Sequence, residues 1–333
     1  MLSDRLQQVV EKHGPWTAMA IKLPDGTYTR PPAADNRLRR ILQVAADLVR
    51  KPLAQCRVLD LACLEGHYAI EFALHGCEVV GIEGREASVA KCDFVKNELV
   101  LDRARFVQDD VRNLSSEKYG LFDIIICSGL LYHLPARDAW GLLQSMHETC
   151  KGIIILDTFI AFSSQLTVEI DNSIYHGHIY REHDETETAE EKQKKLWASL
   201  DNDASFWFTE PSLMNLLARA GFTSAFDVLT PTMPGNLRDR KTYVAVKGTT
   251  VEVISSEETN QRKHTDIPEG ENPRFDASQI RRGKLFATAK RLLPQPVKNA
   301  IKPALRLIGL LPPDATPEFH RSSWFQRGKR KDK

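Results

Sequence analysis

The chain has 333 residues, a net charge of +1 and 42% hydrophobic residues, a composition typical of a globular protein. This length favours one large core with additional segments over two large domains. No stretch reaches the ~18 to 20 consecutive apolar residues of a membrane-spanning helix, and the polar first residues do not resemble a signal peptide. These features predict a cytoplasmic protein.

Charge is divided unevenly along the chain. Residues 281–333 contain 14 Lys and Arg against three Asp and Glu, so residues 1–280 carry a net charge of −10. An acidic body is a poor partner for a phosphate backbone, and we do not expect it to bind nucleic acid. The basic, amphipathic tail is predicted to make a peripheral contact with an anionic membrane, with a solvated extension or a docked helix as the alternative.

The six cysteines lie at irregular spacing in the first half of the chain: Cys56, Cys63, Cys77, Cys92, Cys127 and Cys150. No C-x-x-C pair and no neighbouring His pair accompanies them, which argues against zinc and against a disulfide framework. We predict buried, reduced thiols. His176 and His178 are capable of binding a metal, but no third ligand follows at a recognisable spacing, so no metal site is predicted.

Helical and strand-like patterns alternate from residue 37 onward. Residues 37–50 repeat apolar positions at helical spacing and end before Pro52. Apolar runs without alternation, such as Ile124–Ile126 and Ile153–Leu156, are typical of parallel strands covered on both faces. The pattern predicts an α/β, Rossmann-like, doubly wound sheet. Its strands are predicted at 57–61, 78–83, 104–108, 122–127 and 152–157, and the helices between them at 67–75, 86–99 and 136–150.

Residues 159–208 interrupt this alternation with a polar stretch rich in His and Glu, which we interpret as an inserted lid or a solvated excursion. Within it, Trp197 and Trp207 are predicted to be packing anchors. After a helix at 210–220, two strands joined by a turn at 231–235 predict a hairpin-like pair. The domain organisation is therefore predicted as an N-terminal helical and aromatic cap (1–50), a main domain (51–248), a linker (249–280) and the basic C-terminal tail.

The strongest chemical signal follows the first predicted strand. Asp60 precedes a tight turn that contains Gly66, and Glu83 ends the second strand. Such a turn presents backbone N–H groups and a helix N-terminus to a ligand, while the acidic residue accepts both hydroxyls of a ribose. Ala62 and Leu64 stand where a glycine-rich loop has glycines, so the pyrophosphate-binding G-x-G-x-x-G fingerprint is absent. No G-x-x-x-x-G-K-[ST] phosphate loop occurs either, which makes nucleoside triphosphate chemistry improbable.

This set of motifs resembles the class I S-adenosylmethionine-dependent methyltransferases over residues 57–247. The resemblance implies S-adenosylmethionine as the cofactor and an antiparallel last strand in a seven-stranded sheet. It also implies a role for each of several residues: Asp60, Ala62 and Gly66 line the methionine end, Glu83 holds the ribose, Asp110 lies by the adenine, and Ser128 with Gly129 and Leu130 closes the cleft.

Residues 127–134 and 201–222 resemble a narrower group, which includes the bacterial tRNA wobble-uridine carboxymethyltransferases. In that group a carboxylated donor is bound by a tyrosine that matches Tyr132 and by an arginine that Arg240 or Lys241 could match. The aromatic N-terminal segment and residues 175–183 resemble instead bacterial relatives of unassigned substrate, some of them encoded among glycan-assembly functions.

Three residues at the carboxyl ends of the fourth and fifth predicted strands are candidates for contacting an acceptor. His133 could remove a proton from an acceptor hydroxyl or cap a helix, Tyr132 could face the methyl group or pack in the core, and Asp157 could steady the acceptor. We predict in-line methyl transfer to an oxygen or nitrogen atom of a small-molecule or glycan-like acceptor. The alternatives are a tRNA wobble-uridine (carboxy)methyltransferase and a non-catalytic binding or scaffold protein with a decayed cofactor loop.

Overall fold

The computed structural model describes residues 2–228, 239–261 and 266–269. In chain order its strands are β1 Arg57–Leu61, β2 Glu78–Glu83, β3 Ala104–Gln108, β4 Phe122–Ser128, β5 Cys150–Phe159, β6 Leu166–Ile170, β7 Ser173–Arg181, β8 Ala204–Phe208, β9 Ser224–Asp227 and β10 Arg240–Val246. Its α-helices are α1 Leu2–His13, α2 Asn36–Leu48, α3 His67–Leu74, α4 Glu86–Glu98, α5 Ser116–Tyr119, α6 Ala136–Thr149, α7 Ala189–Lys194 and α8 Glu210–Ala220.

Within these residues the main sheet has seven strands in the order β3-β2-β1-β4-β5-β10-β9. β1 to β5 pair in parallel, and β10 runs antiparallel to both β5 and β9. The order reverses at β1, where the chain passes from one half of the sheet to the other. The predicted doubly wound sheet with an antiparallel last strand is confirmed.

The central strands β4 and β5 lie in the middle of the sheet because their sequences are continuously apolar. Ile124–Cys127 of β4 and Ile153–Leu156 of β5 are buried throughout, as expected for strands covered by helices on both faces. All six cysteines are free and buried, so their predicted burial is confirmed.

Local signals set the ends of the helices that flank the sheet. Asp35 caps α2 by accepting a hydrogen bond from the backbone N–H of Arg37, and Thr209 caps α8 in the same way through Ser212. Gly221 ends α8 with φ 107°, a left-handed conformation that glycine adopts at little cost.

The first 50 residues pack into the same core as the sheet. Trp16, Ile21 and Leu23 lie in the segment between α1 and α2, and each is at most 5% exposed. Ile41 on α2 is fully buried beside them. The N-terminal segment, predicted as a cap, therefore contributes apolar side chains to the main core.

The inserted segment contains a second sheet of three antiparallel strands, in the order β6-β7-β8. Its polar composition predicted no strands. The missed signal is the pair Asp171 and Asn172, which joins β6 to β7 with φ of 48° and 60°. Two successive positive φ angles make a hairpin turn, and Asp and Asn tolerate that conformation better than most residues.

Part of the predicted linker 249–280 contacts the domain. Asp266 pairs with Arg219 at 2.6 Å, and Glu269 accepts hydrogen bonds from the hydroxyls of Thr209 and Ser212. The predicted turn at 231–235 and the basic tail from residue 281 lie outside the described residues, so the membrane contact of the tail stays a prediction. No helix in the described part of the chain combines the length and the apolar character needed to cross a membrane.

Candidate active site

A cavity lies at the carboxyl ends of the central strands, where the sheet order reverses. This is the edge at which open α/β sheets bind ligands. Its walls come from the loops after β1, β2, β3 and β4, from the N-terminal segment, and from residues 196–202 of the inserted segment. Of the predicted site residues it is lined by Ala62, Glu83, Asp110, Ser128, Tyr132 and His133.

The loop after β1 keeps a left-handed backbone without the usual glycines. Ala62 and Leu64 have φ of 52° and 50°. Cys63 donates its backbone N–H to Ile82 O at 3.0 Å, and Leu64 N–H donates to the Glu83 carboxylate at 2.9 Å. These bonds to β2 hold a conformation that side chains disfavour. The loop therefore has a defined shape despite its degenerate sequence.

Gly66 acts at the start of α3 and does not line the cavity. Its φ is 78°, and a Cβ added there would lie 2.9 Å from Cys92 Sγ. A glycine is therefore required by the backbone conformation and by the close approach of α4.

Glu83 is the carboxylate best placed to hold a ribose. It ends β2, is 2% exposed, and lines the cavity. One carboxylate oxygen accepts from Leu64 N–H and the other from Arg85 N–H, both at 2.9 Å. Because each carboxylate oxygen can accept a second bond, two ribose hydroxyls fit this group. Burial raises the pKa of Glu83.

Asp60 and Asp110 differ in their access to the cavity. Asp110 lines it, accepts the backbone N–H of Arg112 at 2.8 Å and pairs with the Arg112 guanidinium. Asp60 is 1% exposed and lies behind the wall, where it accepts the backbone N–H of Ala69 at 3.1 Å. Burial raises the pKa of Asp60 to about 8. The geometry makes Asp60 a group that fixes the start of α3, rather than one that faces the cavity.

Tyr132 and His133 lie in one turn of 3-10 helix directly after β4, with ring centroids 4.2 Å apart. Tyr132 packs edge-on against Phe159, and burial raises the pKa of its hydroxyl. His133 directs Nδ1 to the carboxylate of Glu182, at 2.9 and 3.0 Å. Nε2 has no protein partner among the described residues, and His133 lines the cavity. Glu182 was not predicted, because it is 49 residues away in the sequence.

Asp157 lies beneath the cavity and organises two arginines. It accepts from Arg240 Nε at 2.6 Å and from the Thr242 hydroxyl at 2.7 Å, and Arg37 Nε lies 3.4 Å away. Asp157 is 2% exposed and does not line the cavity, whereas both arginines do. Two guanidinium groups thus share one carboxylate, which leaves a surplus of positive charge facing the ligand space.

Of the two candidate cations, Arg240 and Lys241, the structure places Arg240 at the cavity. The Arg240 guanidinium lies 5.7 Å from the Tyr132 ring centroid and lines the cavity. The Lys241 ammonium instead lies 3.5 Å from Asp227. Arg37 was not predicted, because nothing in the helical pattern of α2 marks it as different from its neighbours.

Residues 196–202 line the cavity beside the loop after β2. Arg85 donates to the carbonyl oxygens of Lys195 and Ala198 at 3.0 Å, which fixes this segment above the β2 loop. Leu200 packs so closely over Gly84 that a side chain at position 84 would collide with it. Trp197 is 61% exposed at the cavity, so its prediction as a packing anchor was wrong, whereas Trp207 is buried.

Glu65 is a further buried carboxylate that the sequence did not predict. It is 3% exposed, pairs with Lys91 at 3.0 Å, and accepts the backbone N–H groups of Thr17 and Ala18. Lys91 also donates to Pro15 O at 2.8 Å. This ion pair fixes the N-terminal segment against the cofactor loop.

The two histidines that are capable of binding a metal contact a hydroxyl group and an aromatic ring instead. His176 Nδ1 lies 3.0 Å from the Ser164 hydroxyl, and His178 packs against Trp207. No group of three or more His, Cys, Asp or Glu that could hold a metal ion occurs among the described residues.

A sheet of this order, with a buried carboxylate at the end of β2 and a cavity over the reversal point, has the Rossmann-like methyltransferase fold. Residues 30–225, more than half of the chain, match the family described as a methyltransferase domain. The chain belongs to this family and is an S-adenosylmethionine-dependent methyltransferase. The predicted enzyme class and cofactor are confirmed, and the non-catalytic scaffold alternative is not supported.

Curated relatives match shorter segments. The ubiquinone biosynthesis O-methyltransferase of Pseudomonas aeruginosa (strain LESB58) is 29% identical over 113 residues, which are 33% of this chain and 47% of that protein. The corresponding protein of Acinetobacter baumannii (strain AYE) is 30% identical over 83 residues, 25% of this chain and 35% of that one. The chain thus spans less than half the length of these relatives.

One solved structure with a similar fold is the N-terminal domain of EvdMO1, determined in the presence of SAH and D-fucose. It aligns with a TM-score of 0.57 and 22% identity over 74% of this chain and 96% of that one. At this level of identity the similarity shows a shared fold.

Proposed function

We propose that this enzyme transfers the methyl group of S-adenosylmethionine to a hydroxyl oxygen of a small-molecule or glycan-like acceptor, with His133 as the general base. The observation that carries the proposal is the setting of His133: Glu182 holds its Nδ1, its Nε2 has no partner among the described residues, and the residue lines the cavity. A histidine in this arrangement can take the proton of an acceptor hydroxyl.

The donor supplies an electrophilic methyl group on a positively charged sulfur. The residues of the chain would hold it: Glu83 would accept the ribose hydroxyls, and the loop with Ala62 and Leu64 would face the methionine part. Holding the acceptor oxygen in line with the methyl carbon then supplies much of the rate. Tyr132 stands beside His133 and would contact the acceptor or the methyl group.

The names of the relatives support oxygen as the acceptor atom and a small molecule as the acceptor. Two ubiquinone biosynthesis O-methyltransferases match part of this chain, and the EvdMO1 domain was determined with D-fucose. A sugar or phenol hydroxyl is therefore the first acceptor class to test.

The test is a methyl-transfer assay with methyl-labelled S-adenosylmethionine and a panel of sugars, nucleotide-linked sugars and phenols. Replacement of His133 by Ala should lower turnover about 10²-fold or more on any acceptor found, with unchanged donor affinity. His75→Ala is the matched control, because His75 is a half-exposed histidine at the C-terminal cap of α3. Near-normal turnover of His133→Ala would contradict the base assignment.

A second candidate is transfer of a carboxymethyl group from a carboxylated donor, as in the tRNA wobble-uridine group. The observation that favours it is the pair Arg240 and Tyr132 at the cavity, together with the positive charge of Arg37. The acidic net charge of residues 1–280 weighs against a tRNA acceptor. Calorimetric titrations with the plain and the carboxylated donor separate the candidates, because only the second requires tighter binding of the carboxylated form.

A further inference from the structure

The inserted segment reaches the candidate base through a buried carboxylate. Glu182 follows β7 directly, and both of its oxygens lie within 3.0 Å of His133 Nδ1. We propose that Glu182 is a positioning residue that fixes the tautomer and the orientation of His133 during methyl transfer. This inference rests on the proposed function, in which His133 is the base.

The surroundings of Glu182 supply several hydrogen-bond donors to its carboxylate. Its side chain is 1% exposed, and it accepts from the Ser205 hydroxyl at 2.7 Å and from the Ser199 backbone N–H at 3.1 Å. Among the described residues no Lys or Arg forms an ion pair with it, and His133 is its one ionisable partner. A buried carboxylate needs hydrogen-bond donors to offset the loss of water, and a proton on His133 Nδ1 supplies one of them.

The chemical consequence follows from the two nitrogens of the ring. When Nδ1–H donates to Glu182, Nε2 carries the lone pair and can accept a proton from the acceptor hydroxyl. As the oxygen–methyl bond forms and the sulfur–methyl bond breaks, the hydroxyl proton moves to Nε2. The positive charge lost from sulfur is then carried by the imidazolium, which the Glu182 carboxylate stabilises until the proton passes to water.

Two further hydrogen bonds join the backbone of His133 and Leu134 to the inserted segment. Asn202 Nδ2 donates to His133 O at 3.1 Å, and Phe206 N–H donates to Leu134 O at 3.0 Å. Asn202 ends the stretch that lines the cavity beside the loop after β2. The inserted segment therefore holds the backbone next to His133 as well as its side chain.

The experiment compares Glu182→Gln, Glu182→Asp and His133→Ala in the full-length enzyme, with Glu185→Gln as the control, since Glu185 is exposed in the same segment. We expect Glu182→Gln to lower kcat about 10²-fold while the acceptor KM and the donor Kd change less than about twofold. Glu182→Asp should recover part of kcat. Combining Glu182→Gln with His133→Ala should cost no more than His133→Ala alone, because the two residues act as one unit.

A spectroscopic measurement reads the tautomer directly. In the wild-type enzyme, ¹⁵N NMR of the histidine ring should show Nδ1 protonated and Nε2 unprotonated at neutral pH, and Glu182→Gln should shift this signature. If Glu182→Gln does not fold, the wild-type spectrum alone decides, and protonation at Nε2 in the neutral ring would overturn the proposal.

The outcomes for Glu182 and for His133 can be distinguished. Wild-type kcat in Glu182→Gln, with an inactive His133→Ala, would overturn the positioning role and leave the base in place. Full activity of His133→Ala would contradict both the role of His133 as the base and the positioning role of Glu182. Loss of activity through a raised KM alone would also contradict the inference, because it would indicate a binding role for Glu182.

Discussion

On the proposed donor side of the cavity, Ala62 and Asp110 follow two parallel strands and Glu83 ends the strand between them, so each is placed by its strand. On the acceptor side, Arg37 and Arg240 come from a helix near the N-terminus and from the last strand. The first arrangement is set by neighbouring parallel strands of the sheet. The second depends on contacts between side chains that are far apart in the sequence.

The two sides also use buried carboxylates differently. On the acceptor side Asp157 orients two arginines and Glu182 orients a histidine, so each carboxylate positions a group that faces the ligand. On the donor side Glu65 and Glu83 bind backbone N–H groups of loops. The donor side is thus stabilised as a fixed shape, and the acceptor side as a set of directed charges. Three predictions sharpen this contrast.

The largest expected effect is on stability, through the Glu65–Lys91 pair. Both side chains are 3% exposed, so Lys91→Met would leave the Glu65 charge buried without its partner. We expect a loss of about 3–5 kcal/mol in the free energy of unfolding, measured by urea denaturation. Lys12→Met, at an exposed position of α1, should change it by less than about 0.5 kcal/mol.

The double variant Lys91→Met with Glu65→Gln provides the internal check. Removing the uncompensated charge should recover part of the lost stability, because an amide can still accept from the N–H groups of Thr17 and Ala18. A loss in Lys91→Met no greater than that of the exposed control would contradict a fixed donor side.

A smaller effect is expected in donor affinity. Glu83→Ala removes a charged acceptor for two ribose hydroxyls and releases the N–H groups of Leu64 and Arg85, so the Kd for S-adenosylmethionine should rise about 10²-fold. Calorimetric titration measures it. Glu78→Ala at the exposed start of the same strand is the control. Equal affinities for both variants would place the ribose elsewhere.

The contrast between the two sides explains what could be predicted from the sequence. Continuous apolar strands and the carboxylate at the end of β2 leave local patterns, so the parallel strands were predicted with nearly correct bounds and Glu83 was correctly placed at the end of β2. Arg37 and Glu182 leave no local pattern, since each acquires its role from a partner more than 45 residues away. The small sheet was missed because its hairpin turn, Asp171 and Asn172, has no glycine.

Which strand carboxylates face the cavity could not be predicted from the sequence either. Asp60 and Asp157 both end or lie near the end of a buried strand, and the sequence predicted that both would face the ligand. The structure places both behind the wall, because alternate side chains of a strand point to opposite faces and helices cover them. Arg240 lines the cavity in place of Asp157, and it had been one of two possibilities.

The last expected effect, the smallest when it is taken per pH unit, tests these two carboxylates against each other through pH. Asp157 has two arginines, whereas Asp60 has no cationic partner among the described residues, and burial raises the pKa of Asp60 to about 8. In the unfolded chain the pKa is about 3.9. Between these values the folded state holds a proton that the unfolded state has released, so stability falls as the pH rises, by up to about 1.4 kcal/mol per pH unit.

Asp60→Asn should remove this dependence while keeping an acceptor for the Ala69 N–H. The measurement is the free energy of unfolding of both proteins from pH 5 to pH 8, where the difference between them isolates Asp60 from every other titrating group. We expect the wild type to lose stability relative to Asp60→Asn as the pH rises. Parallel curves would mean that Asp60 is ionised in the folded protein, and the donor side would then carry a free negative charge close to the cofactor, as the acceptor side carries a positive one.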